Sequence, residues 1–107
     1  QIDPNNVEVY YTRGLAYRTL GENQRAIQDY DKAIQLDPNN ARAYHTRGFA
    51  YAAVGENQRA IQDYDKAIRL DPDYAEAYHN RGLAYHELGQ ASNAQKDWDK
   101  AQSLGSE

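Results

Sequence analysis

Apolar residues return along this chain at helical spacing. Tyr10, Gly14 and Tyr17 stand at i, i+4 and i+7, so they share one helical face and predict a core-facing stripe. Ala26, Ile27, Tyr30, Ala33 and Ile34 draw a second stripe a few residues on. Gly21, between the two, can take the left-handed backbone that ends a helix, and Asn23 is expected to cap the next one. Asp37-Pro38-Asn39-Asn40 is expected to close that second helix and cap a third, because the residue before a proline is pushed out of helical backbone. No stretch alternates with period two, so no sheet is expected.

The pattern then recurs. Residues 21–34 return letter for letter as 55–68, and a diverged third copy occupies 89–102. Asp3-Pro4, Asp37-Pro38 and Asp71-Pro72 keep one spacing, which sets a repeat of about 34 residues. Residues 7–40 and 41–74 agree at roughly two-thirds of positions. The chain therefore divides into units 7–40, 41–74 and 75–107, and residues 1–6 read as the tail of a preceding unit. Such a unit cannot bury its apolar face alone and must stack on its neighbours.

Tyr10-x-x-Arg13-Gly14-x-x-Tyr17, then Ala26-x-x-x-Tyr30 and Pro38, resembles the tetratricopeptide repeat signature. Tyr44, Gly48, Tyr51, Ala60, Tyr64 and Pro72 repeat the match, as do Tyr78, Gly82, Tyr85, Ala94 and Trp98. The resemblance covers nearly the whole chain. It implies an all-α, right-handed α-solenoid of three antiparallel helix-turn-helix hairpins, six helices in all, whose first helices line a concave groove for a peptide.

Two departures from the signature stand out. The position before the first-helix glycine, aliphatic in the signature, is Arg13, Arg47 or Arg81, on the apolar stripe itself. Each unit also carries an acid-aromatic-acid triplet: Asp29-Tyr30-Asp31, Asp63-Tyr64-Asp65 and Asp97-Trp98-Asp99. An arginine is seldom buried without a partner, so each is expected to bond one of those carboxylates within its own hairpin. In the last helix, Gln95 and Gln102 replace the isoleucines of the earlier units, which makes its outer face water-compatible, as a terminal repeat requires. The array is expected to end there. The opposite face, around Val7, Val9 and Tyr10, is expected to be raw enough to drive self-association.

Composition narrows the function classes. At 107 residues there is room for one domain. Mean hydropathy is −1.02, and ten of the twelve aromatic residues are tyrosines, which supply core area while keeping a polar tip. A net charge of −4 argues against tracking nucleic-acid phosphates, and no apolar run approaches the length of a membrane span. With no cysteine there are no disulfides or thiolate sites; that says nothing about compartment, and a cytoplasmic setting is only the default.

The candidate binding stripe lies about a quarter-turn from the core stripe. It holds Glu8, Tyr11, Leu15 and Arg18 in the first unit and Arg42, His45, Phe49 and Ala52 in the second, with Thr46 and Ala53 alongside. Glu76, His79, Leu83 and His86 follow in the third, flanked by Asn80 and Glu87. Leu15, Phe49 and Leu83 are expected to form an apolar strip edged by Tyr11, His45 and His79, with the groove histidines titrating near neutrality. One subgroup of the family grips the carboxylate of chaperone tails with a Lys/Asn/Arg clamp. Carried over, that clamp falls on Tyr11, Leu15, Thr46, Glu76 and Asn80, none of them basic, so a ligand of that type is not expected. His79, His86 and Glu87 are too widely spaced for a tight metal site, and no phosphate loop or nucleophile–base arrangement is present. No cofactor, metal or catalysis is implied. Two readings remain: a protein-interaction module, or a structural spacer or self-assembling segment without its own ligand, attached to another domain.

Overall fold

A computed structural model of the chain describes residues 4–105. Six helices follow one another: α1 Val7–Thr19, α2 Asn23–Leu36, α3 Ala41–Ala53, α4 Asn57–Leu70, α5 Ala75–Glu87 and α6 Ala91–Ser103. No strand occurs among the described residues. They pair as three hairpins, α1 with α2, α3 with α4 and α5 with α6, and the hairpins stack through α2 on α3 and α4 on α5. The stack is elongated, 46 × 25 × 21 Å. Residues 1–3 of the expected preceding tail, and 106–107 of the last unit, lie outside the described residues.

Local chemistry explains the boundaries. The Asn6 and Asn40 side chains accept from the amides of Val9 and Ala43, capping α1 and α3. Gly21, at φ +79°, turns the chain out of α1 while the Glu22 amide reaches back to the Tyr17 carbonyl at 2.8 Å. Asn23 does not cap α2. It is the first helical residue, and Glu22 occupies the cap position without a side-chain bond.

The core is built mainly from alanines, isoleucines and two whole tyrosines. Tyr30 and Tyr64 are fully buried, between Ala26 and Ala33 and between Ala60 and Ala67 respectively. Gly14 makes room for Tyr30: a Cβ there would lie 2.5 Å from the ring's Cε1. The Tyr30 hydroxyl finds no hydrogen-bond partner, and burial pushes its pKa up to about 12. Of the expected first-helix stripe only Gly14 is deeply buried. Tyr10 and Tyr17 are half-buried, for a reason that lies in the arginine between them.

Successive residues on a helix are about 100° apart, so the two acids of each triplet point to nearly opposite sides. Helix α2 lies between α1 and α3, and its acids reach both. Asp29 accepts two bonds from Arg13 in its own hairpin, at 2.8 and 2.7 Å. Asp31 turns the other way and accepts from Arg47 of the next hairpin at 2.9 Å. Arg47 in turn forks onto Asp63 at 2.9 and 2.8 Å. One repeat further, Arg81 bonds Asp97 at 2.8 and 2.7 Å and Asp65 at 2.8 Å. The pairs therefore form a ladder that joins hairpin to hairpin, not three separate intrahairpin bridges. Asp99 ends it by accepting from Gln95 on its own helix.

Each guanidinium also lies between two tyrosine rings of its own helix. Arg47 is 5.7 Å from the Tyr44 ring and 5.8 Å from that of Tyr51, and Arg13 and Arg81 repeat the arrangement with Tyr10/Tyr17 and Tyr78/Tyr85. Those rings flank the guanidinium groups, which is why they stay at the edge of the core.

Candidate functional site

Contacts between neighbouring first helices are made by the proposed binding stripe. The Arg42 guanidinium donates to the Tyr11 hydroxyl at 3.0 Å and lies over that ring at 4.7 Å, linking α3 to α1. Arg18 extends over the Phe49 ring at 5.1 Å. Between α3 and α5, His45 meets Asn80 through Nε2 at 2.9 Å and the Tyr74 hydroxyl through Nδ1 at 3.1 Å. Tyr74 stands where Asn6 and Asn40 cap the earlier hairpins. It gives no side-chain cap, and its ring packs on His45 at 4.9 Å instead.

Three residues of the expected stripe belong to the packing between helices. Tyr11 is buried against Tyr30, ring to ring at 5.8 Å. Thr46 is buried and turns its hydroxyl to the carbonyls of Arg42 and Ala43. His45 has both nitrogens engaged, and burial lowers its pKa to about 4, so the expectation of titration near neutrality does not hold for it. Leu15 is half-buried against the first core cluster, and His79 is half-buried with its carbonyl accepting from the Trp98 indole. Glu8, Arg42, Glu76 and His86 are exposed, His86 with its ring 5.9 Å from Trp98.

Two apolar residues of the stripe lie open as well. Phe49 and Leu83 are 42% and 45% exposed on adjacent first helices. Between them lies a hollow of about 400 Å³, lined also by Ala52, Ala53, Asn57, Tyr64, Asn80 and Glu87. Ala52, Ala53 and Glu87 lie on the expected stripe or beside it, and Ala52 and Ala53 replace Arg18 and Thr19 of the first unit. No cluster of three metal-ligating side chains occurs among the described residues, and none of their helices is long and apolar enough to cross a membrane.

His45 gives a direct pH test of this packing. Its folded pKa, about 4, lies below the value of about 6.5 for a free imidazole. The unfolded chain therefore takes the proton first, so stability present above about pH 6.5 is lost as pH falls towards 4. The loss should approach about 3 kcal/mol. In denaturant titrations, the stability of the wild type relative to His45→Gln should fall through that window. A difference independent of pH would contradict a buried neutral ring.

Comparison with known proteins agrees with the hairpin stack. A family profile described as TPR repeat matches residues 14–55 and 50–89, and one described as Tetratricopeptide repeat matches 75–104. A crystal structure of MamA superposes with a TM-score of 0.91 at 36% identity, over 95% of this chain and 60% of that one. This chain thus spans somewhat under two-thirds of the MamA chain. The second TPR of Spaghetti (RPAP3), bound to the HSP90 peptide SRMEEVD, superposes at 0.89 with 31% identity over 92% of this chain and 91% of that one. The Arabidopsis OM64 TPR domain does so at 0.91 with 32% identity, over 92% and 82% respectively. A comparison with curated protein sequences gives no match. The three signature copies, the three stacked hairpins and profiles covering residues 14–104 lead to one conclusion: the chain belongs to the tetratricopeptide repeat family.

Proposed function

We propose that the chain is a protein-interaction module that holds a peptide or partner segment along α1, α3 and α5. The observation that carries this reading is the exposure of Phe49 and Leu83 side by side, while the unchanging second helices α2 and α4 spend their apolar residues inside the stack. Tetratricopeptide arrays generally serve as interaction scaffolds, and the RPAP3 domain similar to this chain is bound to a peptide.

The ligand differs from that acidic chaperone tail. At the clamp positions this chain has Tyr11, Leu15, Thr46, Glu76 and Asn80; Tyr11 and Thr46 are buried, and none supplies a cation. Nothing in this surface favours a nucleic acid, a membrane or a chemical reaction. A second reading, a stack-building segment, draws on Arg13, which among the described residues meets one aspartate where Arg47 and Arg81 meet two, and is 45% exposed. A neighbouring copy could add the second carboxylate beside Val9.

Peptide-display selection against the folded chain, followed by NMR mapping of a selected peptide, tests the first reading. Amide shifts should concentrate on α3 and α5 and extend to α1. Shifts confined to the outer faces of α2, α4 and α6 would overturn it.

A further inference from the structure

The hollow between the second and third hairpins exists because one repeat has lost two side chains. In the first hairpin Arg18 reaches across to the Phe49 ring and roofs the space between α1 and α3. The equivalent positions in the second hairpin are Ala52 and Ala53, so nothing bridges from α3 to Leu83, and about 400 Å³ stays open. That volume takes one large apolar side chain with its adjoining backbone.

The polar side chains at its rim are the amides of Asn57 and Asn80 and the carboxylate of Glu87. The Asn80 amide nitrogen is engaged by His45, which leaves its oxygen available. Glu87 stands exposed on the pocket wall, and no lysine, arginine or histidine among the described residues pairs with it. An apolar slot edged by two amides and an unpaired carboxylate complements an apolar residue next to a cation.

Resting on the groove reading above, we infer that this hollow is the specificity pocket of the array, and that it takes a leucine- or phenylalanine-sized side chain of a peptide whose adjacent lysine or arginine meets Glu87. Ala52 and Ala53 admit the side chain; Glu87 chooses its neighbour. Between the first and second hairpins, Arg18 takes the corresponding place, over the Phe49 ring.

The probes are blocked tetrapeptides, acetyl-Ala-Phe-Lys-Ala-amide and its Phe-Glu and Ala-Lys counterparts, titrated into the ¹⁵N-labelled chain. The Phe-Lys peptide should saturably shift the amides of Ala52, Ala53, Leu83 and Glu87, binding at least about 5-fold more tightly than either counterpart. Ala52→Arg installs the residue the first hairpin already carries at this position, so the fold should persist, and it should weaken the Phe-Lys peptide about 10-fold. Glu87→Gln should leave phenylalanine-dependent binding and abolish the preference for lysine. Equal binding of the Phe-Lys and Phe-Glu peptides, no saturable shift, or undiminished binding by a folded Ala52→Arg chain would overturn the pocket assignment. Display-selected peptides that still bind through Phe49 would, in that event, leave the groove reading intact.

Discussion

Arg47→Leu is expected to lower the unfolding free energy by about 3–5 kcal/mol, a large share of what a domain of this size holds. The cause is what the arginine leaves behind. Asp63 is 5% exposed, burial already pushes its pKa up, and it would keep that desolvation while losing a two-pronged partner. Asp31, on the neighbouring hairpin, would lose its bond at the same moment, so the change cuts the junction between α2 and α3 as well as the hairpin itself. Tyr44 and Tyr51 would lose the cation between their rings. Arg13→Leu should cost less, about 1–2 kcal/mol, because Arg13 is more exposed and meets a single aspartate. Equilibrium unfolding of both variants checks the order. Adding Asp63→Leu to Arg47→Leu should recover part of the loss, since it removes the stranded charge. Equal costs at the two arginines would mean that the interhairpin rung contributes nothing.

Much of this arrangement can be read from the residues before any coordinates. The duplicated stretch, the glycine turns and the aspartate-proline stops mark six helices, because helix periodicity and chain breakers act locally. An arginine on an apolar stripe calls for an acid, and each triplet offers two. That the second acid serves the next hairpin follows from the 100° step only once helix α2 is known to be flanked on both sides. Burial of Tyr11 and Thr46 was not legible, since a quarter-turn on a helical wheel does not say how far the neighbouring helix wraps around. His45 was harder still. Its partners Asn80 and Tyr74 lie about one repeat away, and Tyr74 looks like a defective cap until its hydroxyl is seen on the imidazole ring.

The duplicated second helices thus carry the acids of the ladder, and on the proposed reading the divergent first helices are the surface on which a ligand is chosen. Phe49 is where that division is most exposed to test. Its ring forms one wall of the open hollow and is 42% exposed in the free chain, so a charge there reaches solvent and costs the fold little. In the proposed complex the same position would lie at the centre of the apolar strip, where burying an unpaired carboxylate is strongly unfavourable. The decisive measurement is calorimetric titration of a display-selected peptide into the wild type, Phe49→Glu and Gln62→Glu, the last carrying its new charge on the exposed side of α4. Phe49→Glu should weaken binding by at least about 30-fold with an unchanged helical spectrum, and Gln62→Glu should stay within about twofold of the wild type. A folded Phe49→Glu chain that binds as tightly as the wild type would contradict the account.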